Sequence, residues 1–263
     1  MNVILFGNNK VALEVVRAIR ETGDNIVGLV LHPDVKRKLG KEIIQACGNV
    51  KVQLDGSKLD EPEVLQSIAA LHADIGVSAF FGHILRRPLL ELFPQGVLNV
   101  HPALLPYGRG ANPNVWSIID RTPAGVTIHY IDSGVDTGDI IAQHEVAIEP
   151  VDTGETLYRK LERASVELFR EQWPLIRQGR CNRIPQTTGG TFHRVRDLQS
   201  IDGIRLDRQY TGRQIIDLLR ARTFAGYSGA YFIENERKVF VRIELEYGEP
   251  VNCESCQGSE KAQ

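Results

Sequence analysis

Asn2-Val3-Ile4-Leu5-Phe6-Gly7-Asn8-Asn9-Lys10-Val11-Ala12-Leu13-Glu14-Val15-Val16-Arg17-Ala18-Ile19 decides the fold. Its opening is a short apolar run that stops at Gly7, the pattern of a buried strand. Ala12, Val15, Val16 and Ile19 then recur at i, i+3, i+4 and i+7, one face of a helix that stops near Gly23. Residues 26–31 supply the next strand. Further along, 74–81 and 97–100 read as buried strands, and 61–71 as the helix leading into the first of them. This alternation implies a Rossmann-like α/β fold, a mostly parallel sheet flanked by helices. The turn Gly7-Asn8-Asn9-Lys10-Val11-Ala12 lacks the Gly-x-Gly-x-x-Gly spacing that admits a pyrophosphate, so no dinucleotide cofactor is expected.

Residues 125–131 and 139–148, rich in β-branched side chains, read as two more strands. Asp132-Ser133-Gly134-Val135-Asp136-Thr137-Gly138 between them is dense in turn formers. Asp152 or Thr153 caps a helix whose stripe is Leu157, Leu161, Ala164 and Leu168 and which ends around Trp173-Pro174 and Gly179. That helix is expected to pack on the sheet and to carry no site. Thr211-Gly212-Arg213 opens another amphipathic helix through Ile215, Ile216 and Leu219. Residues 230–233 and 238–245 then form a hairpin with Val239, Val241, Ile243 and Leu245 on one face. The chain divides into a main unit at 1–180, a small C-terminal α+β appendage at 181–250 and a polar tail at 251–263.

Composition narrows the function. An apolar share of 42% supports a packed core and argues against disorder. There is no apolar run of bilayer length and no signal-peptide pattern, so no membrane partner is expected. Four cysteines without a regular framework fit a reducing cytoplasm. Cys253-x-x-Cys256 stands alone in the polar tail, and neither zinc nor any other metal is expected. A formal charge of −2 supplies no general attraction to polyanions, which weighs against a nucleic-acid partner.

Three polar groups stand where apolar strands run out. In Gly96-Val97-Leu98-Asn99-Val100-His101, period two places Asn99 and His101 on one side of a strand that Pro102 ends. Asp136 lies in the turn-rich loop, which a sheet edge can aim at His101. Asp132 and Asp139 are neighbouring carboxylates that spacing alone does not separate from it. A carboxamide beside an imidazole can stabilise an oxyanion, and a carboxylate can orient the imidazole and favour its protonated form. This chemistry suits transfer of an acyl-type carbon to an amine. Taken alone, Asn-x-His at a strand end is more often a turn or packing feature than a catalytic site.

His101-Pro102-Ala103-Leu104-Leu105-Pro106-Tyr107-Gly108-Arg109-Gly110 follows, and Val135-Asp136-Thr137-Gly138-Asp139-Ile140-Ile141 comes after the next strand. Together these stretches resemble the formyltransferases that use 10-formyltetrahydrofolate, over roughly residues 2–177. The resemblance implies catalytic roles for Asn99, His101 and Asp136, and selects Asp136 from the three carboxylates. It places the folate pocket at Phe81, Gly82, His83, Ile84 and Leu85, with Asp132 beside it. Ala103 stands where many relatives carry Ser.

Arg109-Gly110-Ala111-Asn112-Pro113-Asn114-Val115-Trp116 and the stretch 223–232 resemble the family members acting on nucleotide-linked amino sugars. This implies substrate contacts from Arg109, Asn112, Asn114, Phe224 and Tyr227, the two aromatics stacking on a base or sugar. Read without the resemblance, Phe224 and Tyr227 belong to an aromatic and glycine-rich loop that is either a connector with core aromatics or a base- or sugar-stacking face. Transfer RNA-directed relatives usually carry a larger C-terminal domain than this chain could hold in full. Formylation of hydroxyornithine and a folate-binding module without catalysis are the alternatives. Exposed-edge logic at the C-terminal hairpin implies a homodimer.

Overall fold

The computed structural model describes residues 1–48, 50 and 52–249; Cys253, Cys256 and the polar tail at 251–263 lie outside them. Strand β1 (Asn2–Gly7) leads into α1 (Lys10–Glu21) and β2 (Asn25–Leu31), followed by α2 (Gly40–Cys47), β3 (Val52–Asp55), α3 (Pro62–Ala69), β4 (Ile75–Ala79), a single turn α4 (Arg87–Leu90) and β5 (Val97–His101). Then come β6 (Arg109–Gly110), α5 (Pro113–Asp120), β7 (Ala124–Tyr130), β8 (Ile140–Val146) and the long α6 (Gly154–Ile176). A short β9 (Phe192–His193), α7 (Gln199–Asp202), α8 (Gly212–Ala221) and the hairpin β10 (Ala230–Glu234) with β11 (Arg237–Val241) complete the order.

Seven strands form one sheet in the order β3-β2-β1-β4-β5-β7-β8. The first five are parallel, and β7 and β8 extend the sheet antiparallel. The period-two alternation in β1 divides its side chains between two cores. Val3 and Leu5 pack with α1 and α6, whereas Ile4 and Phe6 pack with Val64, Ile68, Phe81 and Leu89 on the opposite face. β1 and β4 are adjacent although α1, β2, α2, β3 and α3 intervene, so the strand order reverses there and opens a crevice beyond their C-terminal ends. At the β1 turn the Asn9 side chain accepts from the Val11 and Ala12 N–H groups and fills the place a phosphate would need. A Cβ on Gly7 would collide with Ala12, so this glycine serves close strand–helix packing.

Three elements differ from the sequence reading. The hairpin strand stops at Val241 rather than Leu245, because its five-pair register already ends where Val241 meets Ala230. Helix α5 sits inside a stretch dense in Asn, Gly and Pro, entered through a left-handed Asn112 at φ +55. β3 pairs at the sheet edge without the apolar run that marks the inner strands. Among the described residues no helix is long and apolar enough to cross a membrane.

Candidate active site

β5 brings Asn99 and His101 to the crevice and pairs Asn99 directly with His129 of β7. Asp136 reaches the same point from the β7–β8 loop, in a left-handed conformation at φ +54. Its Oδ2 accepts the Gly110 N–H at 2.9 Å and lies 3.6 Å from His101 Nε2. Its Oδ1 accepts from Asn99 Nδ2 at 3.3 Å and lies 3.6 Å from His129 Nε2. Asn99 Nδ2 also donates to His129 Nε2 at 3.2 Å, while His129 Nδ1 donates to the Tyr130 carbonyl at 2.8 Å. His101 Nε2 donates to the Gly108 carbonyl at 3.0 Å. The carboxylate thus stands between one amide and two imidazoles.

Burial sets the charge state of this cluster. His101 is buried, and its desolvation outweighs the pull of Asp136, so its pKa falls below the ordinary histidine value. Asp136 thus favours the protonated imidazole, as the sequence reading expects, but burial opposes it and prevails, which favours a neutral resting imidazole. For Asp136, desolvation acts upward, but His101, His129 and the Gly110 N–H together hold its carboxyl well below the usual range. The result is a buried carboxylate beside a neutral imidazole, ready to stabilise a positive charge that develops there.

These residues line a cavity of about 550 Å³. Phe81, Gly82, His83, Ile84 and Leu85 form one end, where Ile84 is exposed and Phe81 is buried against Phe6. Burial, with the neighbouring His32, lowers the His83 pKa. Asn112 and Asn114 line the cavity beyond His101, and the Asn114 amide donates to the Gly154 carbonyl at 2.8 Å. Tyr158 of α6 lines it too, so that helix contributes to the site, contrary to the sequence reading.

Residues 1–172 match the family described as Formyl transferase, and 197–247 match one described as N-formyltransferase dimerization C-terminal domain. The chain belongs to the formyl transferase family. It is 35% identical to a methionyl-tRNA formyltransferase of Geobacillus thermodenitrificans over 70% of this chain, and it spans only 60% of that relative's length. Among solved structures, a 4-N formyltransferase from Francisella tularensis superposes with a TM-score of 0.82 at 28% identity, over 94% of this chain and 98% of that one. A formyltransferase from Anoxybacillus kamchatkensis, solved with a UDP-linked 4-formamido sugar and tetrahydrofolate, is 33% identical with a TM-score of 0.55. It covers 76% of this chain, and 89% of its own chain is matched.

Not every residue marked from the sequence reaches the cavity of this formyltransferase-family chain. Arg109 is turned away, its guanidinium held by Gln186 Oε1. Asp132 accepts the Gly134 N–H and the Thr137 hydroxyl, which makes it a turn cap. Phe224 and Tyr227 lie beside the rim: Phe224 packs edge-on against Tyr158 and Tyr227, and Lys38 Nζ donates to the Tyr227 hydroxyl at 3.2 Å. At Ala103, Thr127 provides a polar anchor, its hydroxyl donating to the Ala103 carbonyl and accepting the Leu105 N–H.

The sequence reading missed His129, although a polar residue every second position in the β7 run, Thr127 then His129, marks one face as special. It also missed the segment 184–195. Placed with the appendage, this segment runs across the site, pairing β9 with β6 and lining the cavity with Phe192 to Val195. Nothing in its exposed, polar sequence announces that path.

Proposed function

We propose that this protein transfers the formyl group of 10-formyltetrahydrofolate to the amine of a nucleotide-linked amino sugar. The observation that carries the reaction class is the convergence of Asn99, His101 and Asp136 on one buried cluster in the crevice of a formyltransferase-family fold. In this reading the folate enters as a substrate, its pterin against Phe81–Leu85, with the formyl carbon over Asn99 and His101. The neutral substrate amine attacks that carbon. Asn99 Nδ2 then faces the developing oxyanion, one Asn99 contact to His129 or Asp136 yielding to it, while His101 Nε2–H stays on the Gly108 carbonyl. As the bond from formyl carbon to N10 breaks, one proton passes from the attacking nitrogen to N10. His101 is the titratable group at hand for that transfer, and Asp136 stabilises the imidazolium formed on the way. Arg109 and Asp132 stand outside the cavity lining, held by Gln186 and by the Asp132 turn respectively.

Three observations support the sugar-nucleotide acceptor. The Anoxybacillus formyltransferase, solved with a UDP-linked 4-formamido sugar, is 33% identical to this chain. The match at 197–247 is to an N-formyltransferase C-terminal domain, which also supports a homodimer through this region. The aromatic pair Phe224 and Tyr227 with Lys38 offers a stacking face and a cation at the cavity rim. A second reading, formylation of methionyl-tRNA, is favoured by the name of the Geobacillus relative; the net charge of −2 argues against it.

The test is a panel of acceptors incubated with 10-formyltetrahydrofolate while appearance of tetrahydrofolate is followed. The panel holds nucleotide-linked 3-amino and 4-amino sugars, hydroxyornithine and methionyl-tRNA. Turnover with an amino sugar supports the proposal. Turnover with methionyl-tRNA or hydroxyornithine alone overturns the acceptor, and folate binding without turnover on any amine overturns catalysis.

A further inference from the structure

Gln186 is the one half-buried residue in the otherwise exposed run 182–190. Its carboxamide uses its full hydrogen-bonding capacity. Nε2 donates to the carbonyls of Asp136 and Gly138, each at 2.8 Å. Oε1 accepts from Arg109 Nε at 3.2 Å and Nη2 at 2.8 Å. Two carbonyls require donors and a guanidinium requires an acceptor, so the amide fits in only one orientation.

The chain on either side is anchored. Ile184 exchanges two backbone hydrogen bonds with Ile140, and Thr191 Oγ1 takes the Gly108 N–H at 2.8 Å. The segment therefore holds Gln186 against two loops at once. One carries Asp136, whose left-handed backbone is costly for a residue with a Cβ and persists only where its surroundings enforce it. The other carries Arg109, next in sequence to the Gly110 N–H that binds the Asp136 carboxylate. Gln186 itself is absent from the cavity lining.

We infer that Gln186 is a positioning residue for formyl transfer. By tying the Asp136 loop to Arg109 it sets the spacing at which Gly110 aims the Asp136 carboxylate between Asn99 and His101. The inference rests on the proposed catalytic role of Asp136. Gln186→Leu removes all four hydrogen bonds. Gln186→Glu keeps an acceptor for Arg109 but sets a carboxylate against two carbonyls, so it too releases the Asp136 loop.

Both variants should lower kcat about ten- to a hundredfold, the usual scale for misplacing a reacting group by about an ångström. Binding of folinic acid, measured by calorimetry, should stay within about twofold, because Gln186 touches no cavity surface. A readout that needs no acceptor is the titration of His101 followed by ring-nitrogen NMR; Asp136, His129 and the Gly108 carbonyl are the groups that face this imidazole. As the carboxylate retreats, the His101 midpoint should move further down in Gln186→Leu. In an Asp136→Asn background the same substitution should leave it in place. A shift in Asp136→Asn but none in Gln186→Leu overturns the role of Gln186. A lowered Tm with unchanged His101 titration overturns it as well, since that is the mark of a merely structural residue. Unaltered turnover and titration in Asp136→Asn would instead remove the proposed catalytic role on which the inference rests.

Discussion

Asp136→Asn tests the centre of the proposal. Each carboxylate oxygen of Asp136 now accepts from a donor, Oδ1 from Asn99 Nδ2 and Oδ2 from the Gly110 N–H. Whichever way an asparagine amide turns, its NH2 faces one of these donors. A buried donor left in that position costs about 1–3 kcal/mol. The larger effect falls on the transition state. A unit carboxylate 3.6 Å from an imidazolium at His101 is worth about 5 kcal/mol at an effective dielectric constant of about 20. Realised in full, that is between three and four powers of ten in rate. Residual polar contacts reduce it, so kcat should fall by about two to three powers of ten, within the span usual for acid–base groups. The assay follows tetrahydrofolate release with the best acceptor of the panel, at pH 7 to 8 where His101 rests neutral. Folinic-acid affinity, measured in parallel, should hold, because the carboxylate faces the cluster and not the Phe81–Leu85 end. A variant that turns over within about threefold of the parent would refute the reasoning, since a charge so placed cannot then be stabilising the reacting group.

Tyr227→Ala and Phe224→Ala should each weaken a nucleoside diphosphate by about 1–3 kcal/mol in titration calorimetry if the loop stacks on a base; unchanged affinity in both would reject the sugar-nucleotide acceptor. The pH dependence follows from the lowered pKa of buried His101. Folding favours its neutral form, so that contribution is complete above the unfolded histidine pKa of about 6.5 and is lost as pH falls below it. Chemical denaturation across pH 7.5 to 5 should show the decline, and His101→Asn should flatten it while nearly abolishing turnover. Gly154→Ala should lower Tm, because a Cβ there collides with the Ala221 carbonyl where α8 docks on α6. A cost of about 1–3 kcal/mol is usual for such overpacking, and an unchanged melting curve would show that the docking is looser than drawn.

The sequence by itself determined the sheet, its flanking helices and the strand-end pair. Buried parallel strands and amphipathic helices announce themselves through local apolar periodicity, and in β5 the same period-two rule placed Asn99 and His101 on one side before any contact was known. Asp136 came from a resemblance, because three carboxylates in one turn-rich loop carry no local mark that separates them. The tertiary structure alone decided the rest. His129 enters the cluster through cross-strand register with Asn99, a pairing 30 residues apart. Arg109 left the candidate site for Gln186, 77 residues later, and a hydrogen bond of that span has no periodicity to betray it. Neither could the charge state of His101 be read in advance, since motif logic weighs only the neighbouring carboxylate. Burial is a property of the whole packed chain, and here desolvation outweighs that neighbour.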